Sequence, residues 1–247
     1  MRNKSTKKLL ISAFIILSIF LLFNIIVKEV PLTAADHLRE EIKLPNPKTD
    51  GKISIERVLS QRRSIRSYLN EELTLTEVSQ ILWAAYGITE KKDRPEKLRG
   101  GYRTTPSAGA TYPLDIFLVA GEIESLKPGI YKYNSTNHSL IPVKERDSRN
   151  ALFMTCMQPW IKTAPATIIY TVKWERITSR YGKRGAERYV FMEVGHSSQN
   201  IYLQATALGL GTVAVGAFND GKLKELLKLG EGEDPLYMMP IGRKKDD

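Results

Sequence analysis

Gln61-Arg62-Arg63-Ser64-Ile65-Arg66-Ser67-Tyr68 is the stretch on which the reading of this chain turns. It places three guanidinium groups and two hydroxyls within six residues, just after a short helical pattern over Ser54–Ser60 in which Ile55, Val58 and Leu59 recur. A guanidinium fork pairs two phosphate oxygens at once and a serine hydroxyl adds a neutral donor, so phosphate is the natural ligand. Taken alone, the cluster reads equally well as a solvated basic loop.

Elements can be placed outward from it. Thr74-Leu-Thr-Glu77 is a capping box that opens a helix with Val78, Ile81, Leu82 and Ala85 on its apolar face and Gly87 at its end. Asp115–Ala120 and Ala166–Val172 read as strands, and Gly129–Tyr133 with Ser139–Val143 reads as a hairpin. Helices are expected over Ser148–Met157, Ala186–Leu208 and Asp220–Leu229, with further strands over Gly211–Phe218 and Leu236–Ile241. This order of helices and mainly non-sequential strands predicts an α+β fold rather than a doubly wound sheet.

Two further segments offer a ligand little but backbone. Arg103-Thr-Thr-Pro-Ser-Ala-Gly-Ala-Thr-Tyr-Pro113 combines small residues with two prolines ahead of a strand, and Val215-Gly-Ala-Phe-Asn219 closes another. Small side chains let a flat ring approach the main chain, although each segment alone is also an ordinary turn-rich connection. Ile241-Gly-Arg-Lys-Lys245 adds three cations near the C-terminus.

Taken in order, these segments resemble the FMN-dependent nitroreductase family, whose first helix is followed by an Arg-Arg-Ser-x-Arg-x-Tyr/Phe motif. The resemblance runs over residues 53–247. Pro106-Ser-Ala-Gly109, Tyr112-Pro113, Gly195-His-Ser-Ser-Gln-Asn200, Gly209-Leu-Gly211 and Pro240-Ile-Gly-Arg243 look closest to the branch of dehydrogenases that oxidise azoline rings in modified peptides. The resemblance implies a central, mainly antiparallel sheet flanked by helices, in an intertwined homodimer with two flavins at the interface. It implies that Arg62, Arg63, Ser64 and Arg66 hold the FMN phosphate and the pyrimidine side of the flavin, with Arg243 also at the phosphate. Pro106, Ser107, Ala108 and Gly109 would face the ring from the second subunit, and Gly216 and Ala217 would offer backbone N–H groups. Gln158 and His196 are weaker site candidates, His196 reading first as a core or interface histidine.

The activity so implied is ping-pong transfer of hydride or electrons through the flavin, with NADH or NADPH as candidate donor and no obligatory protein nucleophile. No Gly-x-Gly-x-x-Gly fingerprint follows a strand, so a second, stably held dinucleotide is not expected. Two alternatives stand beside it: a dehydrogenase maturing azoline-containing peptides, and a non-catalytic flavin-binding or interaction module.

The N-terminus reads as an address. Leu9–Val27 carries no charge, and as a helix this run would span about 28 Å, close to a hydrocarbon core. It is longer than a usual cleavable signal, although Thr33-Ala34-Ala35 would serve as a cleavage site, so an uncleaved signal anchor is the favoured reading. The chain then divides into a basic flank (1–8), a transmembrane anchor (9–27), a linker (28–52) rich in proline and charge, and a flavin-binding domain (53–247). Arg2, Lys4, Lys7 and Lys8 place the N-terminus in the cytoplasm and the domain outside. That orientation requires the flavin to be acquired across the membrane.

Composition excludes several other classes. Of the net charge of +10, five positive charges precede the first acid, Glu29, so the remainder is only mildly basic and carries no block expected of a nucleic-acid binder. Cys156 is the only cysteine, which rules out an internal disulfide and a thiolate metal site, and beside Met154 and Met157 it reads as a small buried residue. His37, His138 and His196 lack metal-ligand spacing, so no metal is expected.

Overall fold

The computed structural model describes residues 40–92 and 98–245. The anticipated flank 1–8 and anchor 9–27 lie outside them, and among the described residues no helix is long and apolar enough to cross a membrane. Along the chain the elements are β1 (Ile42–Lys43), α1 (Ile55–Gln61), α2 (Leu75–Tyr86), β2 (Ile88–Lys91), β3 (Gly101–Arg103), β4 (Leu114–Ala120), β5 (Gly129–Asn134) and β6 (Ser139–Lys144). They continue with α3 (Arg149–Cys156), α4 (Pro159–Thr163), β7 (Ala166–Lys173), α5 (Glu175–Arg184), α6 (Val190–Ala207), β8 (Leu210–Thr212), α7 (Asp220–Leu227) and β9 (Glu233–Arg243).

Seven strands form one sheet in the order β1-β6-β5-β4-β7-β9-β8, and each pairing between them is antiparallel. The two central strands are buried on both faces because their side chains alternate between two cores. Leu114, Ile116 and Leu118 of β4 join Ile168, Tyr170 and Val172 of β7 in one core, beneath Ile81 and Leu82 of α2 and Val194 and Ile201 of α6. Phe117, Val119 and Ile169 point the other way, onto Leu152 of α3, Ile161 of α4 and Leu223 of α7. Each such aliphatic side chain taken from water contributes about 1.5–3 kcal/mol, so this double core dominates the stability. The α+β architecture with a mainly antiparallel sheet is therefore the one expected.

Local signals set the helix starts. Thr74 Oγ1 accepts from Glu77 N, and the Glu77 carboxylate accepts from Thr74 N at 2.8 Å, the reciprocal capping expected from the sequence. Ser54 and Asn219 cap α1 and α7 in the same way through a single bond.

Four readings need correction. Residues 42–44, expected in a linker, belong to the folded body: Ile42 and Lys43 pair with Leu140 and Ser139, and Leu44 is buried. The expected helix from Ala186 begins at Val190, after one wide π-type turn over Gly185–Tyr189 that continues α5. The strand expected over Gly211–Phe218 keeps only Leu210–Thr212 in regular pairing; beyond it Val215 alone exchanges hydrogen bonds with Met238. The β2–β3 hairpin and α5 were not anticipated.

Candidate active site

Residues 62–69 follow α1 and meet the end of the sheet through isolated bridges at Ser64 and Tyr68. Ile65 N donates to Thr212 O and Leu69 N to Arg243 O, both at 2.9 Å, and Lys245 N donates to Ser67 O at 3.2 Å. Arg62 and Ser64 meet the same residue, Tyr202, whereas Arg66 meets Trp160. The Arg62 guanidinium stacks over Tyr202 of α6 at 5.2 Å, Ser64 Oγ hydrogen-bonds the Tyr202 hydroxyl at 3.1 Å, and Arg66 stacks over Trp160 of α4 at 5.8 Å. Trp160 Nε1 is buried there without a hydrogen-bond partner among the described residues.

Arg63 is turned elsewhere. It folds back on the end of α1, its Nη1 donating to Ser60 O and Arg62 O at 3.0 and 2.8 Å, and with Ile65 it lines a separate cleft against Gly209 and Leu210. Arg243 is committed elsewhere. Its guanidinium forks onto both oxygens of Glu77 at 3.1 and 3.2 Å and reaches Glu71 at 3.3 Å. The charge anticipated for a phosphate is thus neutralised within the chain, tying the end of β9 to the start of α2.

Tyr202 joins the basic segment to the third candidate region. Its hydroxyl accepts from Ala214 N at 2.9 Å, and Gly216 lies two residues further on, within roughly 8 Å at full extension. Gly216 and Ala217 are exposed, and their N–H groups have no hydrogen-bond partner among the described residues. Val215 N is used by Met238 O at 2.8 Å, so the first free donors fall at these two residues.

The Pro106–Gly109 loop is anchored on the opposite face of α6. Asn200 Nδ2 holds Thr104 O at 3.1 Å, and Ser107 Oγ donates to Glu193 Oε2 at 2.6 Å while accepting from Tyr112 N. Glu193 and Tyr202 are nine residues apart, two and a half turns, which places them on opposite sides of the helix and about 14 Å apart along it. One chain therefore does not bring this loop to the Arg62 side. Gly109 adopts φ 58°, and a Cβ there would stand 2.5 Å from the Tyr181 hydroxyl and 2.8 Å from the Arg180 guanidinium, which holds Gly109 O at 3.1 Å.

Behind the loop lies a group that sequence reasoning missed. Glu193 is buried, accepts from Ser107 and from the Tyr86 hydroxyl, and has its pKa pushed up to about 7 by burial, against the pull of its two hydrogen bonds and of Arg103. The signal was present: Glu193 falls on the apolar face of α6, between Val190 and Ser197, where a charge does not belong unless it is bonded.

Among the weaker candidates, His196 is exposed and has no hydrogen-bond partner among the described residues, which sets aside the core half of its reading and leaves the interface half open. Gln158 stands at the start of α4 with no capping bond from its side chain. Cys156 is half-buried against the second core, and burial raises its thiol pKa, which suits a packing residue. No group of three metal-ligating side chains occurs among the described residues.

Comparison with known proteins identifies the class. Residues 59–243 match the nitroreductase family, and the chain belongs to it. It is 45% identical over 205 residues to MJ1384 of Methanocaldococcus jannaschii, named as a nitroreductase, covering 83% of this chain and 96% of that protein. A solved structure from Ralstonia eutropha JMP134, described as a nitroreductase, superposes with a TM-score of 0.70 at 28% identity, covering 85% of this chain and 92% of the other. The microcin B17-processing protein McbC of Escherichia coli is 24% identical over 184 residues, 71% of this chain and 64% of that protein.

Proposed function

We propose that this nitroreductase-family oxidoreductase works through bound FMN, at a site that a second copy of the chain completes. The observation that carries the reading is the meeting of Arg62 and Ser64 on Tyr202, whose hydroxyl also holds Ala214 N beside the free N–H groups of Gly216 and Ala217, with Arg66 two residues beyond Ser64. The residues fit the group: two guanidiniums and a hydroxyl match a phosphate, and unspent backbone donors match the acceptor edge of a flavin. When bound, the flavin supplies the hydride or electron carrier, with NADH or NADPH as candidate donor.

The chain supplies position and electrostatics. Arg62 and Arg66 neutralise the phosphate; Ser64, oriented by Tyr202, adds a neutral donor. Gly216 and Ala217 hold the ring through main-chain donors that need no reorganisation. Arg63 and Arg243 are engaged with partners of the same chain, so this reading rests on Arg62, Ser64 and Arg66 for the phosphate. The Pro106–Gly109 loop walls the ring of the other copy, which its place on the far face of α6 requires. Exposed Ile55 and Leu59 on α1 and exposed Phe191 and Met192 on α6 supply apolar surface for that pairing. Segment 9–27 tethers the protein to a membrane.

A second reading, maturation of an azoline-containing peptide, is favoured by the similarity to a microcin-processing protein. A non-catalytic binding module is the third. Purified full chain that carries flavin, gains thermal stability with FMN and, once reduced, is reoxidised with saturable dependence on an acceptor supports the enzyme reading. Flavin binding without acceptor dependence leaves only the module.

A further inference from the structure

We propose that a second cavity, between the hairpin strand β3, the β5–β6 turn and α5, binds a small molecule bearing a phosphate group. The cavity is about 420 Å³, within the range of small-ligand sites. Arg99, Arg103, Lys132 and Arg176 line it, with Asp115 as the single carboxylate among the lining residues. None of these belongs to the flavin cradle.

Among the described residues the charges lining the cavity are not balanced. Asp115 already holds two of the cations, Lys132 Nζ at 2.8 Å and Arg176 Nη1 at 2.7 Å. Arg103 lies between the rings of Tyr86 and Tyr112, at 4.5 and 4.7 Å, and donates to Tyr86 O and Arg99 O at 3.0 Å, with its Nε buried and unpartnered. Arg99 donates to Thr111 O at 3.1 Å. Among the described residues no carboxylate forms an ion pair with either arginine. Glu193, hydrogen-bonded to Tyr86, offsets part of the Arg103 charge, yet among the described residues of the cavity cations still outnumber acids.

Like charges held together in a half-buried cleft are costly, and the cost appears at Arg99, whose pKa is lowered by burial first and by Arg176 next. A multiply charged anion relieves this where a single carboxylate does not. The neutral wall suits the same ligand, because Ser135 and Thr136 on the β5–β6 turn add hydroxyls beside planar guanidiniums, the donor set that phosphate oxygens take. Among the described residues Arg99 and Arg103 have no ion-pair partner, so a ligand meeting Arg99, or the unpartnered Nε of Arg103, breaks no ion pair among them.

Inorganic pyrophosphate titrated into the purified full chain by calorimetry tests this. The expected result is saturable binding that is weakened about tenfold by Arg99→Gln and by Arg176→Gln, the loss of one charge-assisted bond each. Arg62→Ala should leave it unchanged, and Arg99→Gln should retain the flavin content of the parent. Absence of saturable binding overturns the proposal. So does binding that falls with Arg62→Ala and ignores both cavity variants, since the pyrophosphate would then occupy the flavin phosphate cradle. Arg176→Gln removes a partner of Asp115; Arg99→Gln breaks no ion pair and keeps the test valid if the former fails to fold.

Discussion

Ser107 donates its hydroxyl to the Glu193 carboxylate at 2.6 Å, so the loop expected to face a flavin is pinned by a buried acid whose pKa has risen from the ordinary 4.5 to about 7. A carboxyl raised in this way binds its proton more tightly folded than unfolded. Its contribution to stability is fully present below pH 4.5 and is lost as pH rises through about 7. The shift corresponds to at most about 3 kcal/mol. Glu193→Gln, permanently neutral, should match the parent near pH 5 and exceed its stability near pH 7.5, as read by urea unfolding at the two pH values. A constant difference between parent and variant would remove Glu193 as the titrating group.

Gly211 faces Ile65 across the contact that seats the basic segment. A Cβ at Gly211 would stand 2.7 Å from Ile65 Cγ2 and 2.8 Å from Ile65 Cβ, too close for a rotamer change to relieve. Gly211→Ala should cost about 1–3 kcal/mol and should also weaken FMN binding, because relief displaces the segment that carries Arg62, Ser64 and Arg66. Thermal unfolding and FMN titration check both; loss of stability with unaltered FMN affinity would separate this contact from the cradle.

The Arg243–Glu77 fork makes the opposite prediction. Arg243→Met should lower stability by roughly 1–2 kcal/mol, through loss of a bidentate pair at the partly buried start of α2. FMN affinity should change by less than about threefold, whereas a direct phosphate ligand would lose about tenfold or more. A large fall in affinity would return Arg243 to the phosphate site.

What was legible in the sequence was local or periodic. The Thr74–Glu77 capping box needs only residues three apart, and the alternation in β4 and β7 needs only a buried strand. What was not legible depended on partners far along the chain. Arg243 meets Glu77 across 166 positions, so its charge looked free. Residues 213–218 look like a strand by composition, but after Thr212 the chain keeps only the Val215–Met238 pairing. Strongly charged α5 hides its single buried residue, Ile177.

The orientation of the proposed tether is open to a separate test. In a Cys156→Ala background, Asp50→Cys places a thiol at an exposed position of the folded body. An impermeant maleimide applied to whole cells should label it at once if the charged flank of residues 1–8 keeps the N-terminus inside. Protection until lysis would put the flavin domain in the cytoplasm.

The central claim is that Arg62, Ser64 and Arg66 form the phosphate side of an FMN site. Its most direct measurement is FMN titration of the full chain beside Arg62→Ala and Arg66→Ala, followed by the absorbance of bound flavin. The account predicts saturable binding by the parent, about tenfold or greater weakening in each variant, and little change in Arg63→Ala. A parent that fails to bind FMN, or variants that bind it as well as the parent does, would contradict it.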